Sequence, residues 1–342
     1  MSTCATASRD LTEPLAGTAA TARTWLLLEQ PGPWGAKALT SSHLDPELGR
    51  ALEKAAKDTG VRIALIRRPG RHADCHATAR HQVYVGHTVP GRTWLRGAEL
   101  DDPGQLLDLD FAALGAGDHG GFGAPHTGDP LALVCTNGKR DRCCALLGRP
   151  LAAALASSGA EGAWEITHLG GHRFSPTLLV LPYGYAYGRM ETAAVKEILD
   201  AARAGRVLTE GCRGNSAWER PGQAAELAVR ESTGEDAADA LRVVATERAD
   251  GAGREGVAGG AGAAAGEDGT DRQVPLWEVT VAHADGRRWR VTVAQEASLP
   301  PRPESCGAAL GSPARMDVLD VQTVPEGAEG PAYEIPATDA SK

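Results

Sequence analysis

Aromatic side chains make up only 4% of the 342 residues, so any core must be filled mainly by Leu, Val, Ile and Ala. Basic stretches are missing too. With a formal net charge of −9, the chain lacks the clustered Lys and Arg that displace counterions from phosphates, which excludes a broad nucleic-acid surface. No window reaches the run of about 18 apolar residues that crosses a bilayer, and residues 1–18 hold no apolar core of a secretory signal. These absences predict a cytoplasmic protein without a membrane segment. The seven cysteines, Cys4, Cys75, Cys135, Cys143, Cys144, Cys212 and Cys306, are odd in number and unevenly spread, unlike a secreted disulfide scaffold. In a reducing compartment their clustering points to metal or redox chemistry. The remaining composition, 42% hydrophobic and 23% charged, is that of a globular chain with room for two modules and a tail.

An apolar run at 24–29 reads as a buried strand, and Pro31, Gly32, Pro33 and Gly35 force a loop after it. Asp45 caps a helix with Pro46 at its first position, and Leu48, Leu52, Ala55 and Ala56 follow at helical spacing until Gly60. Strands at 61–66, 82–86 and 93–95 and a helix at 102–114 come next. The glycines of 115–129 suit neither a helix nor a sheet interior and mark a boundary. The same order then repeats, with strand 131–134, helix 143–155, strands 164–167, 177–181 and 185–189, and helix 191–204. A βαβ unit followed by a ββα unit, twice over, predicts an α/β fold of two thioredoxin-like modules in tandem. Helices at 216–230 and 235–248, a Gly- and Ala-rich flexible tract, and a hairpin turning at Asp285-Gly286 complete the pattern. The expected division is an N-terminal segment (1–20), a first module (21–116), a Gly-rich linker (117–130), a second module (131–212), a helical extension (213–249), a flexible linker (250–272), a β-hairpin (273–310) and a disordered tail (311–342).

Chemistry gathers in the second module. Cys135 ends the strand 131–134, and a loop leads from it to Cys143 and Cys144 at a helix start, where exposed N–H groups and the helix dipole favour thiolates. Strand 164–167 delivers His168-Leu169-Gly170-Gly171-His172 into a neighbouring loop. Two glycines between the histidines exclude the helical zinc pair HExxH; they let the backbone pass close to a bulky centre and turn both imidazoles toward one point. Two thiolates and two imidazoles suit either zinc or a 2Fe-2S cluster. Structural zinc knuckles usually part their cysteines by about two to four residues, whereas eight lie between Cys135 and Cys144, which suits a wider centre. The order also differs from Rieske loops, each of which gives one Cys and one His. Cys143 stands as the rival to Cys144 for the second sulfur.

The segments CTNGKRDRCC (135–144), HLGGHRF (168–174) with TLLVLPYG after it, and EPLAGTAATARTWLLLEQPGPWG (13–35) resemble the sucrase/ferredoxin-like proteins, over roughly residues 10–210. Fungal members of the actin-patch-distribution type in that family have a thioredoxin-like ferredoxin domain with bis-histidine 2Fe-2S ligation. The resemblance implies a 2Fe-2S cluster on Cys135, Cys144, His168 and His172, and an electron carrier more than a catalyst with its own substrate. Sucrose hydrolysis has no support, because no carboxylate pair stands in a glycosidase context. Exchanging thiolates for neutral imidazoles removes negative charge from such a centre, which then accepts an electron more readily; in Rieske centres the shift runs from about −400 mV to roughly −150 to +300 mV. The free ring nitrogens exchange protons, so the potential is expected to fall as pH rises.

Around these ligands, Cys143 reads as a small buried helix residue, Arg140 and Asp141 as a local ion pair holding the loop, and Gly170 and Gly171 as backbone hinges beside the centre. Trp164 and Phe174 read as structural residues placed to shield it from water. His72, Cys75, His76 and His81 are irregularly spaced in an Arg-rich loop and read as solvated, while Cys4, Cys212 and Cys306 have no partner at ligand spacing and read as ordinary thiols. The first module lacks a CxxC and is expected to be structural or a docking platform. Two rival classes stay open: a structural zinc Cys2His2 module, and a thiol-disulfide protein using Cys143-Cys144. The favoured reading, a proton-coupled one-electron carrier, requires a redox partner protein, reductase or acceptor, and neither nucleic acid nor membrane.

Overall fold

The computed structural model describes residues 3–70, 80–249 and 274–325. A short helix α1 (Cys4–Asp10) precedes the first half, which runs β1 (Thr24–Glu29), α2 (Pro46–Ala56), β2 (Val61–Arg67), β3 (His81–His87), β4 (Trp94–Leu100), α3 (Phe111–Ala116) and β5 (Ala124–Pro125). The second half runs β6 (Leu131–Cys135), α4 (Arg142–Ser157), β7 (Ala163–Ile166), β8 (Thr177–Leu181), β9 (Tyr185–Gly188), α5 (Thr192–Arg203) and β10 (Cys212–Asn215). Helix α6 (Arg220–Thr233) leads to β11 (Leu241–Ala249), β12 (Leu276–His283), β13 (Arg288–Ala297), the short pair β14 (Arg302–Pro303) and β15 (Leu310–Gly311), and β16 (Ala314–Val324).

In each half a parallel βαβ unit is followed by antiparallel strands, giving the orders β2-β1-β3-β4 and β7-β6-β8-β9. This is the thioredoxin-like α/β order expected from the element pattern. The halves do not stand apart, however. Their edge strands β2 and β7 pair antiparallel, with Ile66 opposite Ile166 and Arg67 opposite Glu165, and fuse both halves into one ten-stranded sheet. Each edge alone would leave a row of unpaired N–H and C=O groups, and the seam satisfies them mutually. A buried ion pair sits on it: Arg67 lies 2.7 Å from Glu165, which also accepts from Thr136 Oγ1 at 2.8 Å. The guanidinium rests over the Trp34 ring at 4.0 Å.

Alternation along the strands sorts the core. Leu26 and Leu28 of β1 meet Leu52 of α2 and Leu114 of α3, while Ala132 and Val134 of β6 meet Leu151 and Leu155 of α4 and Val195 of α5. The residues between them, Trp25 and Leu27 on β1 and Leu133 and Cys135 on β6, join a third core shared by both halves.

Several elements differ from the sequence expectation. The helix expected at 102–114 is broken into a 3₁₀ turn, Pro103–Asp108, and α3, because Asp110 turns its side chain back to accept from Ala113 N and starts a new helix. Part of the expected linker 115–129 is ordered as β5, paired to β4. Of the residues expected to be helical at 235–248, those from Leu241 form β11 and those before it a turn; pairing with β12 outweighs the local helix preference. The expected hairpin, β12 and β13, exists, but as the middle of a four-stranded sheet whose other edge is β16, inside the tail expected to be disordered. This sheet packs on α6 through Ala225, Val229, Val279, Val291 and Met316. Tyr185 on β9, Glu226 and Arg230 form a buried triangle, with 2.6 Å from Tyr185 Oη to Glu226 and 2.6 Å from Arg230 Nε to Glu226, that fixes α6 to the second half. His72, Cys75, His76 and the tract 250–272 lie outside the described residues, whereas His81 begins β3 and its Nδ1 stands 2.8 Å from the Glu29 carbonyl oxygen. Among the described residues no helix is long and apolar enough to cross a membrane.

Candidate metal centre

Strands β6 and β7 run parallel with Cys135 opposite Ile166, so the loops that follow them leave from the same end of the sheet. Helix α4 starts beside Cys135. Asp141 caps it by accepting from Cys143 N at 2.9 Å, and Gly148 lets it lie close to the strand, since a Cβ there would stand 2.1 Å from the Cys135 carbonyl oxygen. Successive side chains on a helix diverge by about 100°, so Cys143 and Cys144 face different neighbours. Cys144 turns inward: its sulfur, that of Cys135 and a ring nitrogen of His168 all lie within 4.8 Å of one another. The His172 ring stands beside that of His168, centroids 5.2 Å apart, but does not join the 4.8 Å group.

Both cysteines are fully buried, and the two histidines half-buried, in the loop after β7. The Nδ1 atoms of His168 and His172 are buried with no hydrogen-bond partner among the described residues. A hydrogen bond from Cys144 and another from His168 hold the Cys135 thiol well below its ordinary value against burial, and the same Cys144–Cys135 contact, with burial, pushes Cys144 up. Burial lowers the pKa of His172, over the opposing pull of Asp141, whose Oδ2 is 3.6 Å from His172 Nε2. A neutral imidazole is the ligating form.

The loop is held from outside by two arginines that sequence reasoning missed. Arg62 on β2 donates to the His168 carbonyl at 3.2 Å. Arg213 on β10, wholly buried and held down to about 10 by that burial, donates to the Gly170 carbonyl at 3.1 Å, to Thr18 Oγ1 at 3.1 Å and to the Thr18 carbonyl. Nothing in the local pattern marks either residue, because each reaches the loop only through sheet pairing. The two glycines serve different ends. Gly170 has φ +82° and open space where a Cβ would stand; Gly171 has φ +67° and the Arg213 guanidinium 2.1 Å from that position. The bulky group it admits is therefore Arg213.

Other expectations are corrected here. Asp141 directs its carboxylate to Cys143 N and Cys306 N, both at 2.9 Å, while Arg140 is exposed, so a cap and a cross-link replace the expected ion pair. Cys143 is buried, as expected, but Cys4 and Cys306 are not unpartnered thiols: the three sulfurs meet, 3.4 Å from Cys4 to Cys143, 3.6 Å from Cys4 to Cys306 and 3.1 Å from Cys143 to Cys306. Sequence separations of 139 and 163 residues hid this. Trp164 lies in the shared core and Phe174 is buried beneath Arg173.

A family model described as sucrase/ferredoxin-like matches residues 15–214, more than half of the chain, and spans every residue of the centre. No curated protein and no solved structure matches the chain. The chain belongs to the sucrase/ferredoxin-like family.

Proposed function

We propose that the chain binds a 2Fe-2S cluster through Cys135, Cys144, His168 and His172 and passes single electrons to and from a protein partner. The observation that carries this reading is the pair of buried Nδ1 atoms without partners among the described residues, set beside two buried sulfurs. Leaving a buried polar atom unsatisfied costs about 1–3 kcal/mol, and an electron-pair acceptor between these groups removes that cost. Thiolate and imidazole donors together fit such a cluster, which when bound takes up and returns one electron.

The chain's own residues supply the surroundings. Cys135 and Cys144 keep the sulfur side within the apolar core shared by both halves, away from water. His168 and His172 form the partly exposed side of the centre, the side that faces a partner protein. Asp141 places its Oδ2 3.6 Å from His172 Nε2, a carboxylate beside the outer face of that ring. Arg62 and Arg213 offset the negative charge of the thiolates. The first half contributes Arg62 and its share of the core.

A single zinc ion is the second reading, favoured by the tight 4.8 Å grouping of Cys135, Cys144 and His168. Anaerobic purification with iron, sulfide and zinc analysis and a visible spectrum separates the two. Iron and sulfide in equal amounts, with colour lost in Cys144→Ala and kept in Cys143→Ala, is the expected result. A colourless protein whose zinc is lost in Cys144→Ala would overturn it in favour of zinc.

A further inference from the structure

Cys4, Cys143 and Cys306 come from α1, the first turn of α4 and the loop between β14 and β15, segments that nothing in the sequence relates. Their sulfurs form a triangle with sides of 3.1, 3.4 and 3.6 Å, and an oxygen of Asp141 lies within the same 4.8 Å sphere. We infer that these four side chains form a second metal site, separate from the histidine centre, that takes one thiophilic divalent ion of the zinc type.

The geometry suits an ion better than a disulfide. With a thiolate–zinc bond of about 2.3 Å, an ion equidistant from the three sulfurs stands about 1.2 Å above their plane, which leaves a pyramid open at its apex. In an ideal tetrahedral site the sulfurs lie about 3.8 Å apart, so the sides have to widen by about 0.2 to 0.7 Å. A disulfide would need one pair to close to about 2.05 Å and would leave the third sulfur aside. Three nearly equal separations favour no such pair. Asp141 sets the geometry: its two oxygens accept from Cys143 N and Cys306 N, fixing two of the three cysteines relative to each other, and Oδ1 lies 3.9 Å from Cys4 Sγ. Cys143 lies in the first turn of a sixteen-residue helix, where the dipole favours a thiolate. On binding, the three thiols release their protons to solvent and the ion balances most of the resulting charge.

The segments joined also give the ion a task. Helix α1 has seven residues, too few to persist alone, and the regular structure flanking Cys306 is the two-residue pair β14 and β15. Both cover the turn His172–Phe174: α1 packs on it, and Arg173 pairs with Glu13 at 2.8 Å and with Glu304 at 3.5 Å. An ion on Cys4, Cys143 and Cys306 therefore clamps α1 and the loop between β14 and β15 over the histidine loop, in the manner of a structural zinc in a segment with little core of its own.

The test uses the full chain, incubated anaerobically with zinc, desalted and assayed for zinc and iron in wild type, Cys4→Ser and Cys306→Ser. One equivalent of zinc is expected to disappear from each variant with iron unchanged. If the histidine centre itself held zinc, the variants would still lose one equivalent and keep another, so the two readings fail separately. Cobalt(II) loading gives a second readout: thiolate-to-cobalt charge-transfer absorption is expected in wild type and is lost in Cys306→Ser, a replacement at a partly exposed position. Equal zinc in all three proteins overturns the inference. So does a disulfide among the three cysteines in anaerobically purified protein.

Discussion

Replacing Gly171 by Ala tests how the histidine loop is held, because the neighbouring Gly170 provides an internal control. At Gly170, φ +82° with open space around a Cβ leaves only the left-handed backbone cost, about 1–2 kcal/mol. At Gly171 the same cost applies at φ +67°, and the new methyl stands 2.1 Å from Arg213 Nη2, so the guanidinium must move. That nitrogen donates to the Thr18 carbonyl, and Nη1 donates to Gly170. Losing one buried bond from a charged donor adds about 1.5–3 kcal/mol. Gly171→Ala should therefore cost roughly 2.5–5 kcal/mol against about 1–2 for Gly170→Ala. Denaturant unfolding of both variants measures the difference, and retained metal should fall in the same order, since the loop carries both histidines. Adding Arg213→Ala to Gly171→Ala removes the clash, so the double variant should be less destabilised than the two single losses added together. Equal losses at the two glycines, or strictly additive behaviour in the cycle, would refute the assignment of Arg213 as the group that demands glycine at 171.

The seam between the halves gives a second expectation. Arg67→Met takes the guanidinium from buried Glu165 and should cost up to about 3–5 kcal/mol, whereas Arg67→Met with Glu165→Leu should recover most of it; a double variant as unstable as the single would show that the charge pair is not the cause. His87, buried against Thr24 Oγ1 at 2.9 Å, has its pKa held down to about 4, first by burial and then by Arg92 and Arg23. The folded ring stays neutral while the unfolded one protonates near 6.5, so this contribution is complete above pH 6.5 and is lost as pH falls toward 4, by about 3 kcal/mol in all. Unfolding free energies of wild type and His87→Gln should converge by that amount across the interval, and parallel curves would rule the histidine out.

The grouping of Cys135, Cys144 and His168 was legible because it follows strand ends: Cys135 and Cys144 lie on one loop and helix start, and His168 follows the neighbouring parallel strand, while His172 stands beside that group rather than in it. The strand-helix alternation likewise fixed the thioredoxin-like order, since periods of two and 3.6 residues are written in the spacing of apolar positions. β16 escaped for a stated reason: a bulge at Leu319 shifts its register, so Met316 and Val318 face the core but Val321, not Asp320, continues the row. The helix expected at 235–248 failed because the partner of β11 lies beyond residues 250–273.

The sequence by itself determined the two repeated halves, the candidate ligands and the family they belong to, because each rests on contacts between near neighbours along the chain. Only the tertiary structure decided that the halves fuse through β2 and β7, that Arg62 and Arg213 hold the histidine loop, and that Cys4, Cys143 and Cys306 meet. Those are pairings between segments dozens to hundreds of residues apart, and their partners are chosen by sheet closure and burial, which leave no periodic trace in the local pattern.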